Sequence, residues 1–261
     1  VTRKLLLLAP AALFLSAVFF KGLSQPPVSP AGQFDAPLPP DEAGQKKAIA
    51  DIIAKAQDFE KNLPDFACTQ FSHHSVDLRA TNQWKTIETI NEQLVFSKGQ
   101  AQYKLVAVNG KKAGENDKTP ASAVPVSEFI KVMHEIFDPS AKAGMVWTNW
   151  ESVRGHRVHM ITFVVTQENS QVTVGKSKSI QTGLAGYIYA DADTYAVLRV
   201  VAAPTGIPKT YPIQGVTFDM NYDFARVGDK VYLLPFKAEF RQKEGKGQIW
   251  DEVELKDFRK P

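Results

Sequence analysis

The sequence holds one cysteine, Cys68. A disulfide within the chain is thereby excluded, and no cysteine lies beside the apolar N-terminal run to accept a lipid anchor. Phe66-Ala67-Cys68-Thr69-Gln70 reads as a strand in which the thiol is a small buried hydrophobe, a role compatible with an oxidising compartment. The sequence also lacks a Gly-x-Ser-x-Gly elbow, a phosphate-cradling glycine loop and a dinucleotide fingerprint, so the common nucleophile and cofactor signatures are absent together. No cofactor and no metal is expected. Long Lys/Arg runs are missing too. Three of the 31 basic residues (Arg3, Lys4 and Lys21) fall in the first 24 positions, which contain no acid, and the remaining 28 balance 28 acidic residues. A near-neutral remainder lacks the footprint that phosphate backbones demand, and nucleic acid is excluded as a partner.

An apolar run long enough to cross a bilayer is likewise absent. Leu5 to Phe20 is apolar except for Pro10 and Ser16, with Arg3 and Lys4 before it and Lys21 after it. It falls short of the roughly 20 residues that a spanning helix needs and has the layout of an export signal. Residues 1–24 are therefore expected to be a signal peptide cleaved after Gly22-Leu23-Ser24, an uncleaved anchor being the alternative. The mature protein is expected in the periplasm or secreted, touching membrane only transiently or through an uncleaved signal. Residues 25–40 carry six prolines and read as an extended linker, leaving 41–261 as one folded domain.

What is present is a change of period. Ile49, Ile52, Ile53, Ala56, Phe59 and Leu63 recur at helical spacing after the candidate N-cap Asp41, and Pro64 must end that helix. A second helix is expected over 127–137, with Ser127 as candidate N-cap. Elsewhere the period is two. Val216, Phe218, Met220, Tyr222 and Phe224 alternate with Thr217, Asp219, Asn221 and Asp223, and Leu234, Phe236, Ala238 and Phe240 repeat the pattern. Strands are also expected near 66–78, 83–98, 103–108, 144–152, 156–166, 170–178, 185–190 and 194–203, and a last one where Val253 and Leu255 stand between Glu252, Glu254 and Lys256. Asn109-Gly110, Gly228-Asp229 and the Gly245 region supply hairpin turns. The expected fold is mainly β: a large curved antiparallel sheet, or unclosed barrel, of about ten strands in a meander, with two or three helices over its mouth.

The candidate chemistry is thin. His134-Glu135 opens like a zinc-protease helix, but Asp138-Pro139 stands where the second imidazole would be. His73 and His74 point to opposite faces if they lie in a strand. Asp191-Ala192-Asp193-Thr194 starts like a calcium loop without its glycine or distal glutamate and reads as a hairpin turn. The aromatic supply is more suggestive, because a curved sheet with few helices can leave apolar side chains lining a groove. The candidate lining residues are Trp84, Phe96, Tyr103, Trp147, Phe218, Met220, Tyr222, Leu234, Phe236 and Phe240.

The segment from Gly186-Tyr187-Ile188-Tyr189-Ala190-Asp191 to Thr194-Tyr195-Ala196-Val197-Leu198-Arg199 resembles a strand–turn–strand motif of the LolA-like superfamily. That group includes periplasmic lipoprotein carriers, RseB-type sensors and mycobacterial lipid-binding relatives. Leu63-Pro64-Asp65-Phe66-Ala67-Cys68-Thr69-Gln70, Glu135-Ile136-Phe137-Asp138-Pro139 and Leu233-Leu234-Pro235 are similar to segments of a family of exported bacterial proteins with this layout. The resemblance spans about 45–258. It implies an unclosed barrel with helices across its mouth and a hydrophobic cavity between, and no catalytic residue. The leading expectation is a non-enzymatic carrier or sensor of an acyl chain, lipid or lipoprotein segment, driven by apolar burial. A cell-envelope structural or protein-interaction module, with an envelope protein as partner, is the second reading. A hydrolase built around Cys68, His73 or His156 is the third.

Overall fold

The computed structural model describes residues 37–120, 122–175 and 178–261. The expected export signal and the linker up to residue 36 lie outside the described residues. Residues 37–40 are irregular, and the Leu38 carbonyl accepts from Trp150 Nε1 at 3.2 Å. Asp41 then caps helix α1 (Glu42–Gln57), its carboxylate accepting from Gly44 N at 2.8 Å. A short 3-10 turn over Glu60–Asn62 finishes the segment before Pro64.

The strands follow in chain order. They are β1 (Phe66–Asp77), β2 (Lys85–Ser97), β3 (Gln100–Val108) and β4 (Lys111–Lys112). After helix α2 (Ser127–Phe137) come β5 (Gly144–Val153), β6 (His156–Val165), β7 (Thr173–Val174), β8 (Ile180–Gln181), β9 (Gly183–Asp191), β10 (Val197–Thr205), β11 (Ile213–Val227), β12 (Lys230–Glu244) and β13 (Gly247–Arg259). Eleven of them form one antiparallel sheet in the order β4-β3-β2-β1-β13-β12-β11-β10-β9-β6-β5. Left-handed backbone at Asn109-Gly110 (φ 50° and 74°) makes the tight turn expected there. Strands consecutive in sequence pair within β1–β4, β5–β6 and β9–β13, while β6 pairs with β9 across the β7–β8 hairpin and β1 pairs with β13. The expected meander is thus joined through its first and last strands and opened between β4 and β5, where the connection carrying α2 runs. The sheet does not close into a barrel.

Three local expectations need correction. The strand expected at 170–178 shrinks to β7, which pairs only with β8 in a separate two-stranded sheet. Ser127 is the first helical residue, and the cap position, Val126, offers no side-chain oxygen. Residues 194–196 belong to the turn before β10, because the Asp191 carboxylate gathers Asp193 N, Thr194 N and Thr194 Oγ1 at 3.2, 2.8 and 2.8 Å, an Asx turn.

Both helices pack on the inner face of the sheet. Ile52, Ala56 and Phe59 from α1 and its extension, with Phe129, Met133 and Ile136 from α2, share one core with Phe163, Ile188, Val200, Met220, Tyr222 and Leu234. The period of 3.6 on the helices meets the period of two on the strands there, which brings the apolar side of each helix against the inward-facing residues of the strands. A smaller cluster on the outer face gathers Val158, Tyr189, Leu198 and Val201. Beside it the Arg199 guanidinium grips Asp219 through two bonds of 2.9 and 2.5 Å and stacks over Tyr189. Gly186 marks a close approach on the inner sheet: a Cβ there would lie 2.0 Å from the Val201 carbonyl of β10. No helix among the described residues is long and apolar enough to cross a membrane.

Candidate binding groove

The inner face is filled along most of its length and open at one end. In the filled part Tyr222 is fully buried, its ring meeting Phe59 and Phe129 edge to face at 5.3 and 6.0 Å, and its hydroxyl donates to the Phe129 carbonyl at 2.7 Å. Such burial without a charged neighbour pushes the phenol's pKa upward. Met220 and Leu234 beside it are also inaccessible.

Where β11 starts and β12 ends, the helices no longer cover the sheet. A groove of about 970 Å³ opens there, of the size that small-molecule sites take (roughly 300–1,000 Å³). Its floor is Val216 and Phe218 of β11, Phe240 and Gln242 of β12, Ile249 and Asp251 of β13 and His74 of β1. Val132 and its neighbours on α2 form one wall, and residues 122–125 and 171–173 complete it. The rings of Phe218 and Phe240 meet edge to face at 5.8 Å and remain partly exposed. Tertiary packing gives the apolar lining from residues that are distant in sequence, and charged groups lie among them: on the α2 side Glu128 pairs with Lys131 at 2.6 Å, and the Glu135 carboxylate accepts from Gln171 N at 3.0 Å.

One margin of the groove is polar. The inner positions of β1 run from Cys68 to Gln70, Ser72 and His74, and β2 adds Glu88 and Glu92 opposite them. His74 pairs with Asp251. Four side chains of this region hold Thr119, Ser122, Val124 and Val126, which precede α2 in the chain. Glu92 accepts from Thr119 Oγ1 at 2.7 Å, Glu88 accepts from the Ser122 hydroxyl, Gln70 Nε2 donates to the Val124 carbonyl at 3.0 Å, and the Tyr103 hydroxyl accepts from Val126 N at 2.8 Å. Glu92 is inaccessible to solvent. Burial raises its pKa, and the Thr119 hydrogen bond only partly offsets that. Burial likewise pushes the Tyr103 phenol up to about 12.

The ten candidate lining residues therefore part company. Phe218 and Phe240 line the groove. Phe96, Trp147, Met220, Tyr222 and Leu234 are buried in the filled core; Phe96 stacks on Phe66, and Trp147 Nε1 donates to His159 Nδ1 at 3.0 Å. Tyr103 packs against that core and anchors the 119–126 segment. Trp84 and Phe236 line nothing on the inner side. Trp84 precedes β2 and meets Trp250 at 5.5 Å, while Arg241 lies over the other ring. Phe236 sits where the β11–β12 register shifts at Pro235, and the Arg154 guanidinium stacks over it while bonding Asn221 and Asp223 of the outer face. A bulge breaks the alternation that the sequence pattern extrapolates through it. Sequence reasoning missed Val124, Val132, Val172, Val216 and Ile249 as lining. The apolar stripe of α2 and the start of the β11 alternation were the available signals for Val132 and Val216.

The residues weighed for chemistry stay apart. Cys68 is inaccessible, and burial pushes its thiol up to about 12, away from a thiolate. His73 is exposed and on the opposite face from His74. His156 bonds the turn carboxylate of Asp191 at 3.1 Å, and His134 pairs at 3.6 Å with Asp138 at the end of α2. Among the described residues, no three of His, Cys, Asp or Glu converge on a point where a metal would sit.

No family model and no curated protein matches the sequence. Solved structures similar to the chain include a LolA superfamily protein from Nitrosomonas europaea, at 7% identity and a TM-score of 0.35 over 81% of this chain and 93% of that one. Another is a DUF1329 family protein from Desulfovibrio piger, at 10% identity and a TM-score of 0.40 over 82% of this chain and 93% of that one. Overlaps this loose leave the chemistry of the groove to be read from its own residues.

Proposed function

We propose that this chain is a non-enzymatic binding protein of the cell envelope which takes an acyl chain, as part of a lipid or a lipoprotein segment, into the groove between α2 and β11–β13. One observation carries the reading: the inner face is left uncovered where Phe218, Phe240, Val132, Val172, Val216 and Ile249 converge. Water against such a surface is released when hydrocarbon replaces it, at about 25 cal/mol per Å². Ten buried methylenes contribute on the order of 8 kcal/mol, against association costs of at least about 4 kcal/mol. The margin corresponds to a carrier that binds and also releases. The rim charges suit a polar head left in solvent.

Displacement of cis-parinaric acid by unlabelled fatty acid, read with native mass spectrometry of the gently extracted protein, tests the reading. Saturable displacement that Phe218→Asp abolishes is the expected result. Absence of saturable uptake, with no co-purifying lipid, would overturn it. A second reading has its own observation: β5 and the β3–β4 side are the two unpaired edges of the sheet, and an extended segment of an envelope protein could add to either. Crosslinking from Val146 of β5, which is 48% exposed, separates the two.

A further inference from the structure

The far end of β11 and β12 from the groove carries a second surface. Phe224 and Val231 are 40% and 55% exposed and sit two rungs apart on the same hairpin, opposite Leu233 and Arg226 respectively. Exposed large side chains scattered singly need no explanation, but these two border a hollow of about 280 Å³ that leads between the hairpin and α1. Phe59, Met133, Val197 and Leu233 line it, and Lys55, in the last turn of α1, is the one charged residue of its lining.

Cations border this apolar patch. Arg226 and Lys230 flank the hairpin turn, and Lys260 lies across it, with its Nζ 2.9 Å from where a Cβ of Gly228 would sit. With Lys55 they make four positive side chains, none in an ion pair with a described residue. Asp229 is the one acid in the turn itself. Cations alone would be an ordinary solvated face. Exposed Phe and Val beside Lys and Arg that form no ion pair with a described residue make the combination that an anionic bilayer surface matches: apolar side chains enter the headgroup boundary while the cations meet lipid phosphates.

We propose that the β11–β12 hairpin end, with Lys55 and Lys260, docks the protein reversibly on an anionic lipid surface. This does not depend on what the groove binds, since the groove lies at the opposite end of the same strands.

The full chain is tested by co-sedimentation with vesicles of phosphatidylglycerol and phosphatidylcholine in equal parts, against phosphatidylcholine alone, at low and high salt. Binding to the mixed vesicles that weakens with salt is expected, with little on the neutral ones. Each cation near the surface is worth about fivefold in partitioning, so R226Q with K230Q lowers it by roughly 25-fold. Phe224→Ser with Val231→Ser lowers it further, and a K104Q/K112Q control on β3 and β4 leaves it unchanged. All four sites are solvent-facing, and melting curves verify that the variants fold. Equal partition onto neutral and anionic vesicles, or unchanged binding in the R226Q/K230Q variant, overturns the proposal. So does a hairpin-dependent contact made only with an acidic protein and not with vesicles.

Discussion

Phe218 and Tyr222 stand on the same face of β11, four residues apart, and do different work. Tyr222 lies under α1 and α2, wedged between Phe59 and Phe129 with its hydroxyl on a helix carbonyl. Phe218 has Phe240 beside it and open space above. The strand is equally apolar at both positions. The difference comes from the helices, which are too short and too far towards one end to cover the sheet's whole inner surface. Packing density sets the role of each residue: a filled position contributes stability, and an uncovered one contributes a surface for something else to bury.

The sharpest way to break this contrast is to truncate both rings. Tyr222→Ala is expected to cost about 3–5 kcal/mol, the range for a large buried ring, and to leave the Phe129 carbonyl without its donor. Phe218→Ala is expected to cost less than about 1.5 kcal/mol. Urea denaturation of the two variants measures both, and equal losses would mean that the groove is as tightly filled as the core. Ligand binding should show the reverse ranking. Phe218→Asp places a charge on the apolar floor and is expected to weaken fatty-acid binding at least tenfold, about 1.4 kcal/mol, with the urea midpoint little changed.

Between the two regions lies the polar margin, and Glu92 probes it. Its folded pKa is raised by burial above the ordinary carboxylate value of the unfolded chain. The folded state therefore retains a proton that unfolding releases, and stability falls as pH climbs from the ordinary carboxylate range through the raised value, then levels off. Glu92→Gln should remove that decline while still accepting from Thr119, and be more stable than the parent at neutral pH by about 1 kcal/mol. Parallel pH–stability curves for the two proteins would show that the carboxylate carries no such penalty. The smallest effect is expected from Thr119→Val, which removes one of the bonds on the 119–126 segment. A loss of up to about 1 kcal/mol, with faster amide exchange confined to that segment, would mark it as a separately held piece.

Alternation and turn chemistry carried the fold a long way. The α2 boundaries, the long β11 and β12, and the Asp191 turn follow from period and from Asx geometry. The site was less legible, because alternation states which face a side chain takes and says nothing of what covers it. Met220, Tyr222 and Leu234 read like Phe218 and Phe240 until the helices are placed. Phe236 shows the second limit: Pro235 shifts the register by one residue, and the ring turns to Arg154 on the outer side. The third limit is range. Val124, Val172 and Ile249 come from three separate stretches and meet only through the tertiary fold.

The pairing of β1 with β13 has a consequence for how the molecule is made. During synthesis β1 emerges early and can take β2 as a partner at once, yet its other edge must wait for a strand encoded far later. Through that interval a row of unsatisfied amides and carbonyls stays open, the kind of template on which nascent chains stick together. Closing the seam is a long-range step that topology makes slow. A chaperone that shields β1 would then matter more to the yield of this protein than to its final stability.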